Sequence, residues 1–158
     1  MYIHIRFAAA EDIPAMHDLI TDLAVYEKEP EAVTLTQEVM AEDFANSLFM
    51  CVVAEVEGKV IGMALYYPRY STWKGKSIHL EDFIVKEEFR KCGVGRLLFD
   101  RVVLECQNYG AKRLEWVVLE WNQPALNFYH KIGANIDSEW QVGQLSEEQI
   151  QNFSFTTL

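Results

Sequence analysis

The stretch from Leu80 to Tyr129 constrains this chain more than any other. An apolar run, Leu80-Glu81-Asp82-Phe83-Ile84-Val85, leads into Arg90-Lys91-Cys92-Gly93-Val94-Gly95. Val94, Leu97, Leu98, Val102 and Leu104 then recur close to a helical period, so the spacing predicts a helix over Val94–Tyr109 that Gly110 stops. Arg113–Leu119 reads as a strand and Gln123–Ile132 as a second helix, with Asn122 as its cap, Pro124 near its start and Gly133 at its end. Strand, glycine loop, helix and strand make a β–α–β crossover, which places two parallel strands in one sheet.

Upstream the pattern is different. Tyr2–Arg6 alternates like a strand, and Ile13, Met16, Leu19, Ile20 and Leu23 follow at helical spacing, with Pro14 tolerated in the first turn. Thr36 reads as the N-cap of a short helix through Phe44. Phe49–Val56 and Lys59–Tyr67 are β-rich and joined by Glu57-Gly58, a hairpin signal. A polar and aromatic loop, Tyr70–Gly75, precedes the strand Ser77–Val85. Near the end, Asn135–Val142 is expected to supply one or two last strands, and Ser146-Glu147-Glu148-Gln149 is a capping box for a terminal helix. Hairpin strands followed by crossovers imply a mixed α/β architecture around a mixed sheet. No repeat, low-complexity tract or linker interrupts it, so residues 1–158 read as one domain.

A helix start offers free backbone N–H groups to an anion, and glycine lets the backbone come close. Gly93 and Gly95 fit that use, and Arg90 and Arg96 add positive charge. Taken alone, such a loop is as readily a tight turn. It is neither Gly-x-x-x-x-Gly-Lys-Ser/Thr nor Gly-x-Gly-x-x-Gly, which excludes two other phosphate loops.

Composition narrows the partners. With 14 basic and 24 acidic residues the formal charge is −10. Binding a polyphosphate needs net neutralisation, so nucleic acid is not an expected partner; a cationic small molecule suits this surface, as does acidity kept for solubility alone. Apolar runs are short and broken by charge, and Met1–Arg6 lacks the design of a signal peptide, so no membrane association is expected. Cys51, Cys92 and Cys106 are odd in number and lack metal-ligand spacing. Reduced thiols in a cytoplasm, with no metal, are the expectation.

Arg90-x-x-Gly93-x-Gly95 after an apolar strand, with Asn122-x-x-Ala125-x-x-Phe128-Tyr129 downstream, resembles the GNAT family of N-acetyltransferases. Ala24-x-Tyr26-Glu27, Tyr70-Ser71-Thr72-Trp73-Lys74-Gly75, Leu80-Glu81-Asp82 and Trp121-Asn122 are similar to the diamine (spermidine/spermine) and thialysine acetyltransferase branch. That resemblance implies a mostly antiparallel mixed sheet of six to seven strands, splayed between the fourth and fifth. It implies acetyl-CoA in the gap, with Phe83, Ile84 and Val85 lending backbone to the pantetheine amides as an added strand would. Lys91, Cys92, Gly93, Val94, Gly95 and Arg96, with Arg90, would hold the pyrophosphate, and Asn122, Gln123, Pro124 and Ala125 would line the far side. Family members usually form homodimers. The alternatives are a non-catalytic acyl-CoA-binding module and an enzyme acetylating protein or peptide amines.

Acetylating an amine poses a proton problem. An alkylammonium has a pKa near ~10.4, and freeing its lone pair at neutral pH costs roughly 4 to 5 kcal/mol. A carboxylate, directly or through water, can take that proton. Glu81 is the candidate base. Strand alternation sets Glu81 and Asp82 on opposite faces, so both reach one cleft only where the strand bulges, as it does in the resembling family. Asp82 would then attract the cation. Tyr129 is the candidate donor to the departing sulfur; a hydrogen bond to the developing thiolate is easier than full transfer, which is uphill by about 2 kcal/mol. For the acceptor the resemblance points to Tyr26, Glu27, Trp73 and Glu139, aromatic faces and carboxylates that suit alkylammonium groups. Ser71-Thr72 replaces the Asp-Pro of the polyamine enzymes, which favours a thialysine- or lysine-like amine over long polyamines. His130 is expected in solvent, and His79 is placed by alternation where it could approach the cleft. Cys92 has no role beyond its backbone.

Overall fold

In the computed structural model, which describes residues 1–156, five strands form one sheet in the order β1-β2-β3-β4-β5. They are β1 (His4–Phe7), β2 (Met50–Val56), β3 (Lys59–Ser71), β4 (Gly75–Val85) and β5 (Arg113–Glu115). The first four pair antiparallel and β5 joins β4 in parallel, as the crossover through the helix α3 (Val94–Tyr109) requires. Two more helices, α1 (Ile13–Tyr26) and α2 (Gln37–Ala45), complete a compact unit, Met1–Val117. A second unit begins at Val118 and carries α4 (Gln123–Lys131) and α5 (Glu147–Gln151).

Each face of the sheet in the first unit has its own cover. Met63, Leu65 and Ile84 on one face share a core with Ile13, Met16 and Leu19 of α1 and Met40 of α2. On the other face α3 buries Val94, Leu98, Val102 and Cys106, a stripe at intervals of four. Gly62 lies under that helix: an added Cβ would sit 2.9 Å from the Ile84 carbonyl oxygen and 3.3 Å from a Leu98 methyl. The entry to α1 is tied down by Arg6, whose guanidinium meets Asp12 at 2.6 and 2.9 Å and Glu55 at 2.8 Å. That pairing holds the buried Asp12 carboxyl below the usual carboxylate range.

Two features of β4 position the candidate site. Its register against β3 runs Leu65↔Asp82 and then Tyr66↔Leu80, so Glu81 is an extra residue and the strand bulges there. Against β5 it pairs only at Ser77↔Arg113, Ile78↔Leu114 and His79↔Glu115. From Leu80 to Val85 the strand keeps β3 and loses β5. The sheet therefore opens between its fourth and fifth strands, as the resemblance implies.

The architecture is the expected one with fewer strands. No strand forms over 135–142 among the described residues; burial alternates on the approach, at Ile132, Ala134 and Ile136, but the chain bends at Ser138-Glu139 and no ladder follows. β5 ends at Glu115 although Val117, Val118 and Leu119 are good strand formers, because propensity without a partner strand makes no ladder. β3 and β4 reach further than predicted, to Ser71 and from Gly75, leaving a loop of three residues. Among the described residues no helix is long and apolar enough to cross a membrane, and no group of His, Cys, Asp and Glu could hold a metal ion.

Candidate active site

The open edge of β4 presents its backbone in a defined phase. Lys86 N–H donates to the Ile61 carbonyl at 2.9 Å, which makes that pair hydrogen-bonded, and antiparallel pairs alternate. Ile84 and Asp82 therefore bond to β3, whereas Phe83 and Val85 turn their N–H and C=O groups away from it. Arg90 Nε donates to the outward Val85 carbonyl at 2.9 Å. The same guanidinium lies 5.1 Å from the Tyr26 ring centroid, so Arg90 joins the end of β4 to the end of α1. A groove of about 470 Å³ runs here, lined by Tyr26, Ile84, Lys86 and Arg90 among others.

The first turn of α3 is built for the same edge. Gly93 takes a left-handed φ of +87°, which turns the chain into the helix without a side-chain cap. By contrast, α2, α4 and α5 are capped by Thr36, Asn122 and Ser146. An added Cβ on Gly95 would lie 3.6 Å from the Phe83 ring, so this turn packs against the outward half of β4. Lys91, Cys92 and Gly93 are exposed, and Arg96 pairs with Asp100 at 2.6 Å. Uncapped helix donors beside outward-facing strand amides fit a diphosphate followed by a chain of amides, the two parts a coenzyme A thioester presents.

On the other face the bulge does what alternation alone forbids. Asp82 sits opposite Leu65, and His79 sits opposite Tyr67, on the face that α1 covers. Glu81 turns to this face as well: its Oε2 accepts from the Tyr67 hydroxyl at 2.5 Å and lies 3.4 Å from His79 Nε2. Burial, then the charges of Glu81 and Glu27, push Asp82 up to about 6. Burial also raises the Glu27 carboxyl, and burial with the bond to Glu81 pushes Tyr67 up to about 12, so its hydroxyl remains a donor. Glu27, Glu81 and Asp82 thus form one acidic group at the mouth of the opened sheet.

Trp73 is not part of that group. It lies in the tight β3–β4 turn, and from Gly75 to Glu81 is about 20 Å of strand at 3.3 Å per residue. The second unit carries the remaining candidates. Asn122 accepts from Ala125 N–H at 3.3 Å as the cap of α4, with Pro124 in its first turn. Tyr129 is buried on α4, and Glu139 is exposed in a bend where its N–H meets Asp137. His130 is exposed, as expected. Sequence reasoning missed Tyr67 as a partner of Glu81. The signal was the β-rich run Lys59–Tyr67 itself, but cross-strand pairing needs a register that sequence did not supply.

Residues 13–134 match the acetyltransferase (GNAT) family. The chain is 37% identical over 143 residues to thialysine N-epsilon-acetyltransferase of Bos taurus, covering 84% of each. It is 32% identical to spermidine/spermine N(1)-acetyltransferase-like protein 1 of Homo sapiens, covering 98% of this chain and 24% of that one. In fold it is similar to an aminoglycoside acetyltransferase from an uncultured soil metagenomic sample, with a TM-score of 0.78 at 18% identity, covering 92% and 97% of the two chains. The chain belongs to the GNAT family and is an N-acetyltransferase.

Proposed function

We propose that this N-acetyltransferase moves the acetyl group of acetyl-CoA directly to the primary amine of a small cationic substrate. A thialysine- or lysine-like amine ranks first and diamines and polyamines second. The observation that carries the reading is the bulge at Glu81, which gathers Glu81 and Asp82 on one face beside Glu27. Three carboxylates suit a substrate bearing more than one positive charge. Acetyl-CoA, when bound, supplies the acetyl group as a thioester. The first turn of α3 and the outward amides of Phe83 and Val85 bind it, with Lys91 and Arg96 adding charge and Asn122–Ala125 completing the coenzyme site. Asp82, Glu27 and Tyr26 attract and orient the ammonium group, with Glu139 as a further acceptor contact; Trp73, about 20 Å along the strand from Glu81, contributes to the acceptor pocket across the homodimer. Glu81 takes the ammonium proton, directly or through water, and Tyr129 donates a hydrogen bond to the departing sulfur.

This reading takes residues 1–158 as one domain, with no metal. It includes a homodimer in the cytoplasm, where the free thiols of Cys51, Cys92 and Cys106 would be preserved. It is tested by thiol release from acetyl-CoA across thialysine, lysine, diamines, spermidine, spermine and short peptides. Turnover highest on thialysine or lysine is expected. Equal rates on every amine would remove the selectivity argued from Ser71 and Thr72, and turnover confined to peptides would replace the substrate class.

A further inference from the structure

His79 is a charged-family side chain that the proton transfer above does not use, yet it is buried at the last β4–β5 pair before the sheet opens. Its surroundings specify which nitrogen carries the proton. Arg69 Nη1, from β3, lies 3.4 Å from Nδ1 and 2.8 Å from Glu115 Oε1 of β5. A guanidinium only donates, so Nδ1 accepts. The single ring proton of that tautomer sits on Nε2, which points at Glu81 Oε2 at 3.4 Å. The Tyr67 ring stacks beside the imidazole with centroids 5.4 Å apart, and its hydroxyl reaches the same Oε2 at 2.5 Å. Arg113 Nε lies 3.0 Å from Glu115 Oε2 at the far end of the row, an ion pair without hydrogen-bond geometry.

We propose that His79 is a positioning residue: held by Arg69 as the Nε2–H tautomer, it and Tyr67 anchor Oε2 of Glu81 and leave Oε1 to receive the proton of the amine. Proton flow balances without help from the imidazole. The amine N–H bond breaks, the proton goes to Oε1, and His79 keeps its own proton throughout. The inference rests on the proposed role of Glu81, but part of it can be read with no turnover at all.

That part is the tautomer. In ¹⁵N-labelled protein at neutral pH, long-range correlation spectra should show His79 protonated on Nε2 alone, and Arg69→Met, which frees Nδ1, should give a mixture of tautomers. A ring protonated on Nδ1 overturns the proposal, whether or not the enzyme acetylates any amine. Turnover is the second arm. His79→Leu should lower kcat about tenfold, the scale of one hydrogen bond to a charged group, with KM for acetyl-CoA unchanged. His79→Gln, whose amide nitrogen can take the place of Nε2–H, should recover most of the loss at equal thermal stability. Equal losses in the two variants, or a loss seen only in KM, sink the positioning role. If the wild type releases no thiol with any amine, the substrate reading fails while the spectrum still decides the tautomer.

Discussion

The two halves of β4 are one continuous strand with opposite uses. From Ser77 to His79 it has β3 on one side and β5 on the other, and all three side chains are buried. From Leu80 to Val85 it keeps β3 alone, and every second residue turns backbone groups to an edge that β5 has left. A strand edge with no neighbouring strand is ordinarily a liability that proteins blunt with charge or cover. Here it is short, flanked by the first turn of α3, and begins beside a bulge that sets two carboxylates on one face. The chemistry thus arises where a neighbour withdraws, and the closed half fixes the register from which that withdrawal starts.

The sharpest way to break this contrast is at the junction. Glu81→Gln keeps an acceptor for the Tyr67 hydroxyl but cannot take a proton, so kcat should fall about a hundred- to ten-thousandfold, the usual contribution of a positioned base. Thermal unfolding should move little, because Glu81 is largely exposed. Unchanged turnover would show that the bulge serves the fold only, and would remove the base from the proposed reaction.

Asp82 tests the open half from the stability side. Its folded carboxyl stands at about 6 against 3.8 in the unfolded chain, so the folded form holds the proton more tightly. Stability from this group is therefore full below about pH 4 and is lost as pH rises through about 6. Asp82→Asn should raise the unfolding free energy by about 3 kcal/mol at pH 7, with the gain vanishing near pH 4, in urea titrations at the two pH values. The same variant should weaken binding of a cationic acceptor. A gain of equal size at both pH values would mean that packing, not charge, sets the effect.

How much of this was legible depends on whether a feature is local. The bounds of α3 were readable because Gly93 and Gly110, both left-handed, bracket a clean apolar stripe. The turn at Glu57-Gly58 was readable for a similar reason: both residues take positive φ, which the dipeptide favours. Alternation alone placed His79 and Glu81 on one face. Bringing Asp82 to that face required a bulge known only from the resembling family, and bringing Tyr67 there required the β3–β4 register, a long-range property. The strands drawn at 135–142 and at 116–119 failed on the same ground, since a ladder needs a partner that no local pattern supplies. The coenzyme loop was visible as glycines; the Arg90 bond to the Val85 carbonyl was not, because a long side chain has many reachable acceptors.

The smallest effect is expected in the closed half, and it carries the comparison's other side. Lys76 lies one residue before the β5 pairs, its carbonyl accepting from Lys112 N–H at 2.8 Å and its ammonium 4.9 Å from the Tyr109 ring centroid. Lys76→Met removes the cation but keeps the backbone bond, so it should cost about 0.5 kcal/mol in urea unfolding, as an exposed cation–π contact does. Turnover should not change. A clear drop in kcat without a matching loss of stability would mean that the ammonium acts on the opened half along the strand, and the division between a half that holds and a half that works would no longer stand.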